Sequence, residues 1–299
     1  MKAPGHSLLR CAVTAALLAA VLLAEQAPAR AAEAGTLHLW PSQVKQGGAI
    51  FATFQPAVEV SEVAFRWQNR AWPQAEVDGQ YRCVLPVNYD VPRGAGKVAV
   101  TGEMADGSRF WVEAAVIVKP THFTVQYLRL SKSSASLYTY PGVEDEYRAI
   151  GQALRRMTPV QSWVLPLGRP VAGRVSTEYG LKRYVNGADP YRHKGVDLAA
   201  AKGTPVLAAA AGTVALARSD FRLHGQTVIV DHGLGLCTLY LHLSQVLVQP
   251  GQQVQAGDTL GLVGATGVAT GPHLHWGVYV QGVATNPLWW LQVKAPGSE

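Results

Sequence analysis

Cysteine is scarce: the 299 residues contain three, at positions 11, 83 and 237. Three thiols cannot staple a small disulfide scaffold, so packed apolar cores must hold the fold, and a hydrophobic content of 48% is enough to build them. Beyond the first thirty residues no apolar run approaches the roughly 20 residues that span a bilayer, which excludes a bundle of membrane helices. Charge is also sparse at 15%, and no block of one sign marks a polyelectrolyte tail. The excess is basic, +6 with a pI near 9.3, which suits work against an anionic polymer or a membrane surface. The basic residues are scattered instead of forming a stripe interleaved with aromatics, so no nucleic-acid partner is expected.

What is present begins with a leader. Lys2 and Arg10 precede an apolar run from Cys11 to Ala24, and the small-residue pattern Ala29-Arg30-Ala31 follows. That order predicts a secretory signal peptide over residues 1–31, with cleavage near Ala31 or Ala32 and no transmembrane segment in the mature chain. The mature protein is then expected outside the cytoplasm, in the periplasm or cell envelope or secreted. Cys11 stands in front of the apolar run, not behind it, which does not fit a lipid-attachment cysteine. Cys83 and Cys237 fall in different expected domains and read as free, buried thiols.

The rest reads as mostly β. Apolar and polar residues alternate in Leu37-His38-Leu39-Trp40, Val63-Ala64-Phe65-Arg66-Trp67 and Lys97-Val98-Ala99-Val100, and Asp106-Gly107 is a hairpin turn signal. This predicts an N-terminal immunoglobulin-like β-sandwich over residues 36–120. Residues 121–170 form a connector with one helix, opened by Gly142-Val143-Glu144-Asp145-Glu146 and closed on Arg155-Arg156, with acids first and bases last as the helix dipole favours. From 171 to 293 short runs rich in Val, Gly and Ala, joined by glycine turns, predict a compact antiparallel β-domain. A lipoyl or biotinyl carrier would share this texture, but no lysine stands at a hairpin tip for modification.

Six of the nine histidines fall between His193 and His275. His193-Lys194-Gly195-Val196-Asp197 sets a nitrogen and an oxygen donor four residues apart; Gly195 and Val196 argue for a turn entering a strand. In His273-Leu274-His275 the two-residue period of a strand points both imidazoles to one face. His242, in Thr238-Leu239-Tyr240-Leu241-His242-Leu243, lies on another alternating run. Catalytic zinc is usually held by three N or O ligands with one position open for water; His193, Asp197 and His275 supply such a set and leave His242 and His273 free beside it. His224-Gly225 and His232-Gly233 sit at glycine turns and read as structural, and Trp289 and Trp290 as core packing at the domain's end.

Four stretches together resemble the lysostaphin and LytM-type family of peptidoglycan metallopeptidases, over roughly residues 160 to 290: Arg192-His193-Lys194-Gly195-Val196-Asp197-Leu198-Ala199-Ala200, Val228-Ile229-Val230-Asp231-His232-Gly233, Tyr240-Leu241-His242-Leu243 and Gly271-Pro272-His273-Leu274-His275. The resemblance implies a zinc endopeptidase of peptidoglycan, with one Zn2+ held by His193, Asp197 and His275. It also implies that His242 and His273 are catalytic, assisting the water and steadying the tetrahedral intermediate, and leaves open which of them is the base. Two other activities would use the same fold: a peptidoglycan carboxypeptidase, and an inactive adaptor that activates a cell-wall amidase. The N-terminal sandwich is expected to position substrate, dock a partner or lie across the groove as an inhibitory cover. One departure stands out: the family commonly follows its last motif with an aromatic residue and an acid, whereas this chain has Trp276-Gly277.

Overall fold

In a computed structural model the described residues are 31–295; residues 1–30 of the expected signal peptide lie outside them. No helix among the described residues is long and apolar enough to cross a membrane.

The alternating N-terminal segments form two facing sheets. One runs, in spatial order, Gly35–Trp40, Ala49–Pro56, Gln80–Pro86 and Ala75–Val77; the other runs Gln43–Lys45, Arg109–Lys119, Gly94–Met104, Val60–Trp67 and Arg70–Trp72. The period-two pattern decides which side chains enter. Along Arg109–Lys119 the residues Phe110, Val112, Val116 and Val118 are buried, Ala114 packs half-buried on the same side, and the alternate residues point outward. Phe54, Phe65, Ile50 and Leu85 fill the space between the sheets, with Phe54 stacked on Phe110 at 5.5 Å. Gly107 at φ +79 turns the expected hairpin between the two longest strands.

The C-terminal sheet is antiparallel, in the order Arg174–Thr177, Val196–Ala199, His273–Val280, Leu236–Leu243, Gln226–Asp231, Gly212–Arg218 and Gln253–Val254. Every residue of Leu236–Leu243 is buried, as its near-continuous apolar sequence requires. Trp276, Tyr240 and Trp290 have no more than trace exposure and anchor this core. Cys83 lies in the sandwich core and Cys237 in the C-terminal core; both are free, and burial pushes both thiols up.

The two cores meet through aromatic rings. Phe51 of the sandwich stacks on Trp289 at 6.2 Å and meets Trp290 edge-on at 5.8 Å and Trp163 at 5.7 Å. Both tryptophans near the end of the chain therefore pack instead of lining a groove. Gln281 Nε2 donates across the same boundary to Pro73 O at 3.0 Å and Val84 O at 3.3 Å.

Between the two sheet systems, Val125–Leu128 pairs in parallel with Lys182–Val185. The helix Val143–Leu154 then packs on the C-terminal sheet through Ile150, Ala153 and Leu154. The 121–170 segment thus supplies one wall of a cleft whose floor is the C-terminal sheet.

Candidate metal centre

Register brings the separated motifs together. Asp197 pairs with His275 across Val196–Ala199 and His273–Val280, and His275 pairs in turn with Leu241 on the neighbouring strand. His193 enters from the turn before Val196. Gly195 is required there by close approach: a Cβ would lie 2.4 Å from Trp276 O and 2.7 Å from His275 Nε2.

The donor atoms form a tight triangle. His193 Nε2 is 3.0 Å from Asp197 Oδ1 and 3.0 Å from His275 Nδ1, and His275 Nδ1 is 2.9 Å from Asp197 Oδ1. His193 donates its Nδ1–H to Glu178 O at 2.9 Å, so its Nε2 carries a lone pair that faces the Asp197 oxygen. Two lone pairs 3.0 Å apart in a buried pocket repel unless a cation lies between them. Bonds of about 2 Å at tetrahedral angles give donor separations of roughly 3.3 Å, close to the edges found here. The set therefore fits a metal ion, and its two nitrogens and one carboxylate oxygen suit zinc chemistry.

Electrostatics agree with that assignment. Burial pushes the Asp197 carboxyl up, but where a proton on His193 and His275 stands against Oδ1 in place of a metal ion, its hydrogen bond and charge outweigh burial and hold the group far below the usual carboxylate range. Burial brings His275 down to about 4. Burial and the neighbouring His273 and His275 imidazoles bring His242 down to about 3, so its ring is neutral at ordinary pH.

His242 and His273 complete the ring of imidazoles. Their centroids are 4.9 Å apart, and His242 lies 6.2 Å from His275. His242 donates Nδ1–H to Thr266 O and His273 donates Nδ1–H to Gly271 O, each at 2.8 Å, which leaves both Nε2 atoms bare. His273 and His275 share a face as their spacing predicts, with Leu274 buried on the other side. Strand alternation does not place His242, because Leu239 and Leu241 already occupy the cleft face. A bulge between the Gln226–Leu243 and Val228–Tyr240 pairs, with His242 at φ +64, turns the ring to that side.

The cleft around these residues measures about 610 Å³. His232 is structural, bonded at 2.7 Å to both Ala211 O and Thr238 Oγ1. His224 is held by Glu146, yet its ring also borders the cleft. Sequence reasoning missed Glu146, which stood inside an acid run explained by the helix dipole, and Arg183, which carried no local signal. At the Trp276-Gly277 departure, a Cβ on Gly277 would sit 2.7 Å from the Tyr279 ring, so the space above Gly277 belongs to an aromatic wall of the cleft.

Known proteins share the segment that holds these residues. Residues 191–287 match the family described as Peptidase family M23. An uncharacterised metalloprotease of Haemophilus influenzae is 35% identical over 185 residues, 58% of this chain and 35% of that protein. The peptidoglycan DD-endopeptidase ShyA of Vibrio cholerae is 43% identical over 96 residues, 32% of this chain and 22% of its own length. The chain thus spans about a third or less of these two curated relatives. A crystal structure of a putative peptidase M23 from Pseudomonas aeruginosa superposes with a TM-score of 0.59 at 29% identity, covering 82% of this chain and 93% of the other. The matched segment contains the whole His–Asp–His triangle and both flanking imidazoles, and the chain accordingly carries a domain of peptidase family M23.

Proposed function

We propose that this chain is an exported zinc endopeptidase that hydrolyses the peptide cross-links or stem peptides of bacterial peptidoglycan and works in the periplasm or cell envelope. The observation that carries the reading is the convergence of His193, Asp197 and His275 with two bare imidazole nitrogens at the floor of one cleft. The named activity of ShyA supports the substrate. An adaptor that only activates an amidase has no need of five intact residues in this geometry.

In this reading His193 Nε2, Asp197 Oδ1 and His275 Nδ1 hold the ion. Bound zinc supplies Lewis acidity, polarising the scissile carbonyl and acidifying water. His242 and His273 offer the base: the neutral Nε2 of one accepts the proton of the attacking water and, so protonated, returns it to the leaving amine, while the other ring lines the same face of the site. Nδ1 contacts to Thr266 O and Gly271 O fix both rings in the tautomer this requires. The bulge at His242 costs on the order of 1–3 kcal/mol of backbone strain, which the buried strand around it sustains.

The test is digestion of purified peptidoglycan by the mature chain, with and without a chelator and beside His275→Ala, with fragments read by mass spectrometry. Loss of cross-linked dimers with gain of monomers, abolished by both controls, is the expected result. Shortened stems with cross-links intact would replace the endopeptidase with a carboxypeptidase. Full activity and stoichiometric zinc in His275→Ala would overturn the ligand assignment.

A further inference from the structure

The cleft is cationic, and one of its cations is buried beside the metal centre. Arg155, Arg183, Arg192 and Lys194 line it, while Asp197, already engaged by two imidazoles, is the lone carboxylate among the described lining residues. Arg155 and Lys194 are exposed on the rim. Arg192 is turned away, donating to Gly180 O at 2.8 Å with its guanidinium over Tyr89 and Phe123. Arg183 differs from all three: its side chain is only 13% exposed, and its Nη2 lies 3.5 Å from Asp197 Oδ2.

That guanidinium is oriented but not saturated. Its Nε–H donates to Gln126 Oε1 at 2.8 Å, and Gln126 is its register partner on the Val125–Leu128 strand. Nη1 reaches Tyr191 Oη at 3.4 Å. The 3.5 Å separation from Asp197 exceeds the roughly 2.7–2.9 Å of a charge-assisted bond. Of five N–H donors, at least one on each terminal nitrogen therefore has no acceptor at bonding distance. Two adjacent free N–H groups on a planar fork match the two oxygens of a carboxylate.

We propose that Arg183 is a specificity-determining residue that binds a free carboxylate on the substrate residue supplying the nitrogen of the scissile amide. The inference rests on the peptidase reading above and narrows its substrate. An amide that reaches the His–Asp–His group brings its flanking residues within range of a guanidinium 3.5 Å from Asp197. In a direct link to a diamino dicarboxylic acid, the carbon bearing the scissile nitrogen also bears a carboxylate; in a link to a lysine side chain or inside a glycine bridge it bears none. The cationic cleft selects the first kind of link, and Gln126, from outside the C-terminal sheet, aims the residue that does so.

The test uses the full mature chain with two synthetic cross-linked peptides, identical except that this carboxylate is a carboxamide in one. Cleavage kinetics, binding by calorimetry and zinc content are measured for the wild type and Arg183→Gln. The wild type is expected to prefer the carboxylate peptide by about tenfold or more in kcat/KM, with a matching difference in affinity. Arg183→Gln is expected to erase that preference, mostly through KM, while retaining one zinc per chain. Equal use of both peptides by the wild type would overturn the inference, whatever the fate of the variant. Loss of zinc from Arg183→Gln, or an equal loss on both peptides, would also overturn it, since Arg183 would then serve the ligand set. A wild type that cleaves neither peptide yet binds the carboxylate form through Arg183 would refute the peptidase reading, and with it the place of that carboxylate beside a scissile amide, leaving only a carboxylate-binding guanidinium.

Discussion

Glu146 offers a sharp perturbation, because one buried carboxylate joins the connector helix to the loop beside the metal centre. It is 2% exposed. It accepts the backbone N–H groups of Leu223 and His224, each at 3.1 Å, that of Arg222, His224 Nδ1–H at 2.7 Å and the Tyr140 hydroxyl. Burial pushes this carboxyl up, but the bonds from Tyr140, His224 and the backbone outweigh it and hold it below its ordinary value. In Glu146→Ala the Tyr140 and His224 side chains can turn toward water, whereas the three backbone donors stay fixed. At the low end of about 1–3 kcal/mol for each stranded donor, the loss is about 3 kcal/mol. At about 2–4 °C per kcal/mol the melting temperature should fall roughly 6–12 °C. Glu146→Gln retains one accepting oxygen and should cost about half as much. A group with a depressed carboxyl pKa stabilises above its unfolded value near 4.3, so the difference between wild type and Glu146→Ala should shrink as the pH falls below about 4. Urea and thermal unfolding followed by circular dichroism measure both effects. A loss below about 1 kcal/mol for Glu146→Ala would refute the idea that this carboxylate latches the cleft wall.

Three further outcomes are expected. Asp197→Ala should abolish stoichiometric zinc, together with the zinc-dependent rise in melting temperature; retained metal would refute the ligand set. His242→Ala should keep one zinc per chain and lose about 10²–10⁴ in kcat, while loss of the metal would move His242 into the ligand set. His232, which burial brings down to about 4, must be neutral in the folded chain, so its contribution is complete above about pH 6.5 and is lost as the pH falls toward 4. With chelator present to remove the effect of metal release, His232 should account for about 2 kcal/mol of the stability lost between pH 7 and 5, and His232→Gln should make the slope shallower by that amount, the buried His242 and His275 supplying the rest.

The sequence by itself determined a great deal about this protein. Period-two alternation fixes which face of each strand is buried, so the two sheet systems and the shared face of His273 and His275 could be read from local pattern. The donor types at His193, Asp197 and His275 were legible because metal chemistry restricts which side chains can serve. Tertiary structure decided the rest. The bulge and positive φ that turn His242 into the cleft depend on how two strands align across their full length, which no window around residue 242 contains. Glu146 and Arg183 acquire their roles from partners 78 and 57 residues away, His224 and Gln126 respectively. A charge in a helix's first turn or on a short strand looks the same in sequence whether it faces water or is buried against such a partner, because burial and partnership are properties of the packed chain.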